Sequence, residues 1–341
     1  MKKKHELKEG TLAERIRQRS IIKRNTYRSK RVQLAPGTGR AGSRVTVGKD
    51  SSVVVATRTL PGLSVDLNRQ LFYEACNDVL CMGGIPMGYI HNLVGDPGYS
   101  EESLRELAKN MGEMAQKCDM DYLGGDVMVA SEAGDGCSTL VVMGKIVTEQ
   151  CINNQSLKPG MDLVMTKFVG IAGTVWLTEH DWQEKLQRLP DDMVQRAREF
   201  GNDINGHAEA QVAWEAGVTA MHHTTQRGIF GDLWAFAEAS GVGLTVDLKV
   251  IPIRQETIEI CEAYDLNPYM IPAGGAFLIG TYDGKELVKK MQKQGCMATV
   301  IGKITEGAQR VVVHGEEERA LLPHNNEIEG NIYRACRKDV I

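Results

Sequence analysis

Residues 44–57 (RVTVGKDSSVVVAT) enrich and alternate β-branched side chains, whereas residues 67–82 (LNRQLFYEACNDVLCM) repeat apolar groups at helical spacing. A strand that feeds a helix restricts the chain to folds in which helices cover a sheet, since each element has an apolar face to bury. The pattern continues downstream. IPMGYIHNLV (85–94) reads as a strand, and SEESLRELAKNMGEMAQKC (100–118) as a helix with Ser100 as N-cap and Glu102 and Glu106 near its start. STLVVMGKIV (138–147) reads as another strand.

CINNQSLKPG (151–160) has no periodic face and collects Asn, Ser, Pro and Gly, so a domain boundary is placed there. Beyond it come a helix-rich stretch through 179–200, helices at 205–217 and 229–241, and strands at 243–248, 275–282, 298–304 and 310–315. This mixed order predicts α/β architecture built as α+β layers, not a regular doubly wound sheet. With 341 residues and about 100–200 per domain, two domains fit. The expected division is an arm at 1–43, an N-terminal domain at 44–150, a C-terminal domain at 161–325 and a tail at 326–341, the tail forming a short surface helix.

Apolar content of 42% and charged content of 25% describe a globular chain, and no apolar run approaches a membrane span. The N-terminus lacks the apolar segment of a secretory signal, and the eight cysteines show no CxxC. A cytoplasmic location with reduced thiols is expected, Cys76 and Cys81 being buried apolar groups. Net charge is −4, yet the first thirty-one residues hold twelve Lys or Arg against three acids. The arm reads either as a helix docked through Ile16, Ile21 and Ile22 or as a basic site for an acidic protein partner or nucleic acid.

Four places offer the backbone donors and carboxylates that a polyphosphate and Mg²⁺ require: Gly48-Lys49-Asp50-Ser51-Ser52, Asn77-Asp78, Gly124-Gly125-Asp126 and Thr224-Thr225-Gln226-Arg227-Gly228. Each alone is ordinary turn chemistry; their order carries the weight. APGTGRAG (35–42) neither follows a strand nor opens a helix, so it reads as a flexible loop and not as a Walker or Rossmann turn. No Gly-x-Ser-x-Gly or His-Glu-x-x-His is present.

Taken together, EACNDVLCMGGIPM, MDYLGGDVMV, TKFVGIAGTVWL, the segment 221–247, the segment 251–281 and ATVIGKI resemble the aminoimidazole ribonucleotide synthetase superfamily. The resemblance runs from about residue 44 to 325 and is closest to the hydrogenase-maturation carbamoyl dehydratase-like branch. It implies an N-terminal β/α domain that pairs with its twin in a homodimer, a C-terminal α/β domain, and ATP with Mg²⁺ in the cleft, used to phosphorylate an amide or acid oxygen. Carried over by position, Asp50, Asp78 and Asp126 are the implied metal residues, Asn77 belongs to the Asn-Asp pair, and Gly125, Thr225 and Gly228 belong to nucleotide-binding loops.

This chain departs from relatives at Lys49 and Arg58, which replace acids, and at His223, Gln226 and Arg227, which replace Asp, an acid or Arg, and Gly. Each acid-to-base exchange shifts local charge by about two units and repels a divalent ion. Lys49, Arg58 and Arg227 then either pair with phosphate oxygens in place of Mg²⁺, or mark a decayed site in a non-catalytic binding or assembly paralogue. The same basic residues are also consistent with surface ion pairs. His223 is a candidate general base with Asp50 and Asp78, while His222 reads as structural. Cys336 lies near the C-terminus but not within the terminal Pro-Arg-x-Cys of a hydrogenase-maturation carrier thiol.

Overall fold

The computed structural model describes residues 14–19, 23, 30–40, 42–48, 51–179 and 183–323. A short helix, α1 (Glu14–Arg17), precedes the first sheet. That sheet comprises β1 (Val32–Leu34), β2 (Ser43–Gly48), β3 (Ser51–Pro61), β4 (Gly84–Gly95), β5 (Asp121–Gly124), β6 (Val127–Val129) and β7 (Cys137–Ile146). Its order is β1-β2-β3-β7-β4-β5, with β6 also on β4. All pairs are antiparallel except β4 with β5 and β4 with β6.

One face of this sheet carries α2 (Val65–Leu80) and α3 (Glu101–Lys117). Ser64 caps α2 by accepting from the Leu67 amide at 3.3 Å, and Ser100 caps α3 by accepting from the Ser103 amide at 3.0 Å. Leu71, Phe72 and Val79 of α2 meet Val54, Ala56, Leu140 and Val142, the inward residues of alternating strands. Cys76 and Cys81 are buried in this region, as the sequence suggested. The segment 44–57 is not one strand: Gly48 pairs with Ser51, so the chain reverses and β2 and β3 form a hairpin.

The second sheet is built from β8 (Asp162–Thr166), β9 (Ala220–His223), β10 (Gly243–Asp247), β11 (Phe277–Thr281), β12 (Ala298–Thr305), β13 (Arg310–His314) and β14 (Glu317–Ala320). Its order is β14-β13-β10-β12-β8-β11-β9, and only β10 with β13 is parallel. Around it lie α4 (Ile171–Glu179), α5 (Gln183–Leu186), α6 (Asp191–Glu199), α7 (His207–Glu215), α8 (Gly228–Ser240), α9 (Gln255–Ala263) and α10 (Gly284–Lys293). Helix α8 covers one face through Ile229, Leu233 and Phe236, while α7 and α10 cover the other through Ala210, Val212, Leu287 and Met291. This is the mixed, layered α/β arrangement that the element order implied.

Helices α4, α9 and α10 and strands β1, β5, β6, β8, β9 and β14 were not anticipated. Helix α4 is too uniformly apolar to show a period, whereas α10 had a readable start in Asp283, whose carboxylate accepts from the Glu286 amide at 3.0 Å. The 35–42 segment also departs from expectation. Gly37 and Arg40 form a backbone bridge, and Arg40 donates to Ala35 O and to Asn154 Oδ1, so the turn is fastened to the segment between the domains instead of standing as a flexible loop.

Candidate functional site

Helix α2 delivers Asn77 and Asp78 to the junction between the sheets. Asn77 is fully buried. Its Nδ2 donates to Ile204 O at 2.7 Å and its Oδ1 accepts from Gly206 N at 2.9 Å, which clamps the loop before α7 onto the N-terminal domain. Arg58 occupies an inward position of β3, in step with Val54, Ala56 and Leu60. From there its Nε and one terminal nitrogen donate to the two oxygens of Asp78 at 2.6 and 2.7 Å, a bidentate pair, and its other terminal nitrogen donates to Gln226 Oε1 at 3.0 Å.

His223, at the end of β9, completes this cluster. Its Nε2 accepts from the Gly275 amide at 3.2 Å, so the ring proton sits on Nδ1 and is donated to Asp78 Oδ1 at 3.1 Å. Burial opposes charge on both Arg58 and Asp78. Their mutual attraction outweighs it: the guanidinium pKa lies above its ordinary value, and Arg58 and His223 hold Asp78 below the carboxylate range. Behind them Gln226 Nε2 donates to Glu74 Oε2 at 2.5 Å and Gln70 Nε2 to Glu74 Oε1 at 2.8 Å; burial raises the Glu74 pKa.

A second cluster lies on the loop into α8. Asp232, fully buried, accepts from the Thr225 amide and hydroxyl, from His222 Nε2 at 3.1 Å and from Arg227 at 3.3 Å. Burial lowers the His222 pKa despite this acid, while the bond from His222 helps hold Asp232 low against its own burial. Arg227 also donates to Thr225 Oγ1 at 3.1 Å and reaches Glu14 of α1 at 3.7 Å. Gly228 starts α8 at φ +67°, and a Cβ there would sit 2.7 Å from the Met270 backbone, so this glycine is required by backbone approach.

Arg58, Asn77, Asp78, His223, Thr225, Arg227 and Gly228 are therefore drawn into one region. Gly125 and Asp126 are not. Arg58, Leu140 and His91 share one row of the sheet, and Gly125 packs on the His91 backbone beyond it, roughly 14 Å from β3 at three strand spacings. Asp126 is exposed there, its amide donating to Asn92 Oδ1 at 3.0 Å. Lys49 and Asp50 lie outside the described residues, as do Ile21, Ile22 and Cys336.

The described residues do not fit a Mg²⁺ site. Both Asp78 oxygens face Arg58, and among the described residues no group of three or more His, Cys, Asp or Glu is placed to hold a metal. Sequence reasoning passed over Glu74, Asp232, Glu14 and Lys167. Two of these had a signal, since Glu74 and Asp232 are acids within otherwise apolar helical stretches, where burial demands partners.

Lys167 is buried at φ +55° and donates to the carbonyls of Asp203, Asn205 and Gly275 at 2.6, 2.7 and 3.3 Å. It thus ties together the two loops that grip Asn77 and His223.

Comparison with known proteins accounts for this architecture. Residues 45–146 match the family described as AIR synthase related protein, N-terminal domain, and residues 158–315 match its C-terminal domain. The carbamoyl dehydratase HypE of Cupriavidus necator is 22% identical over 278 residues, covering 80% of this chain and 76% of that protein. Among solved structures, the E. coli hydrogenase maturation protein HypE aligns with a TM-score of 0.71 at 19% identity, covering 82% and 88% of the two chains. A hydrogenase maturation protein HypE in complex with ATP aligns with a TM-score of 0.66 at 14% identity, covering 84% and 89%. With both of its domains matched, the chain belongs to the AIR synthase related family.

Proposed function

We propose that this chain is an ATP-binding enzyme of the synthetase-like superfamily that activates an amide or carboxylate oxygen by phosphorylation, and that Arg58 and Arg227 meet the phosphates where Mg²⁺ and carboxylates would otherwise do so. The observation that carries this reading is the pairing of each arginine with an acid that keeps other partners. Asp78 retains His223 when Arg58 turns away, and Asp232 retains His222 and Thr225 when Arg227 does. If either guanidinium takes a phosphate oxygen, its carboxylate therefore keeps a hydrogen-bond donor. The acceptor oxygen attacks the γ-phosphorus, the β–γ bridging bond breaks, ADP departs with the bond electrons, and the two arginines stabilise the charge on the transferring group. The ATP complex of a related HypE supports the nucleotide.

The test is calorimetric titration with a non-hydrolysable ATP analogue, with and without Mg²⁺. Micromolar binding that does not need Mg²⁺ and weakens at least tenfold in Arg227→Ala is the expected result. Binding that requires Mg²⁺ and is lost in Asp126→Ala would restore the carboxylate site. A second reading, a non-catalytic assembly protein, is favoured by the internal neutralisation of both clusters; it predicts no nucleotide binding in either condition. In that case the basic arm and the dimer surface become the functional parts, and deleting residues 1–31 abolishes capture of an acidic partner.

A homodimer through the N-terminal sheet belongs to the same proposal. The end of the sheet formed by β5 and β6 carries Tyr122, Leu123, Val127, Met128 and Val129, all large, apolar and exposed. A contiguous apolar patch of this kind marks an interface.

A further inference from the structure

A cavity of about 500 Å³ opens at the domain junction, between α7 and the ends of β4 and β7. Its volume lies within the range of small-molecule sites. The two domains contribute to it alike: Ile85, Val147 and Glu149 come from one side, Trp214, Glu215 and His207 from the other. Ile85 and Val147, 38% and 47% exposed, supply the aliphatic part of its lining.

Charge decides what the cavity takes. Two carboxylates line it and no Lys or Arg does. That combination disfavours phosphates and carboxylates, so this is not a second nucleotide site. An aromatic ring flanked by carboxylates suits a cation, which is attracted to the ring face and to the acids together, while aliphatic walls suit an apolar body.

We propose that this interdomain cavity binds a small organic cation, an amidine, guanidine or amine carried on a flat apolar body. Trp214, Ile85 and Val147 hold the body, and Glu149 and Glu215 hold the charge, one acid from each domain. A ligand seated there bridges the domains. The proposal stands independently of the nucleotide reading.

Benzamidine, benzamide and benzoate share a shape and differ in charge, and isothermal titration calorimetry of the full chain with each tests the proposal. Benzamidine is expected to show one saturable site, with benzamide and benzoate at least tenfold weaker. The Glu149→Gln/Glu215→Gln variant should lose at least tenfold in benzamidine affinity, as should Trp214→Phe. Both acids are exposed, so the double variant should melt like the parent; if Trp214→Phe melts early, the double variant alone decides. Absence of a saturable benzamidine site overturns the proposal. So does a difference of less than tenfold among the three probes, or between the parent and the double variant.

Discussion

Buried charge at single residues sets the sharpest expectations. Arg58 and Asp78 are mostly buried, with side-chain exposures of 14% and 12%. Removing the arginine leaves a carboxylate in a site built to hold it ionised, so Arg58→Met should cost about 3–5 kcal/mol in urea unfolding. Replacing both residues by apolar ones should recover much of that loss, and a double-mutant cycle measures the coupling. The Asp78 pKa is depressed in the folded state, so its contribution is present above the unfolded value of about 3.9 and is lost as pH falls through the folded one.

His91 behaves differently. Burial between Asn68 and Ser138 pushes it down to about 4. Between that value and about 6.5 the unfolded chain binds the extra proton, so stability contributed by neutral His91 is full above the upper limit and falls on acidification through this window. Melting temperatures of the parent and His91→Gln across pH 4 to 7 should show the parent with the steeper decline.

Elements carry the site through loops that they hold apart or together. Lys167 follows β8 and binds three carbonyls from two loops, one preceding α7 and one preceding β11. Lys167→Met leaves those acceptors without their donor and should destabilise the chain by about 3 kcal/mol or more, with weaker nucleotide binding because Asn77 and His223 lose their backbone partners. Gly228→Ala forces a side chain into a left-handed position against Met270. A loss of about 1–3 kcal/mol is expected in denaturant titration. Of the positions marked in the sequence, the structure gathers Asn77, Asp78, His223 and the loop to Gly228 in one region and leaves Gly125 and Asp126 apart. Which atom each side chain touches was not legible, since Glu74 meets Gln226 from the other domain, Lys167 binds backbone groups of distant loops, and Asp232 gathers His222, Thr225 and Arg227 only through the way β9, the loop and α8 fold together.

At the scale of the molecule, the exposed apolar end of the N-terminal sheet at β5 and β6 predicts association. Light scattering coupled to size exclusion should report twice the chain mass for the parent, and a single Met128→Asp substitution should shift the population to monomer without unfolding it. The described residues contain no helix long and apolar enough to cross a membrane.

Periodicity and turn chemistry in the sequence determined the strand-helix order, the cap at Ser100 and the layered α/β class, because these depend on neighbours within about four residues. The resemblance added the two-domain frame and the positions of the candidate site. Only the tertiary structure decided that Arg58 engages Asp78, that His223 carries its proton on Nδ1, that Arg227 is drawn to Asp232 and Glu14, and that Asp126 lies across the sheet from them. The physical reason is that charge and hydrogen bonding are settled by distance and burial in three dimensions, and the partners that set them come from different strands, helices and domains.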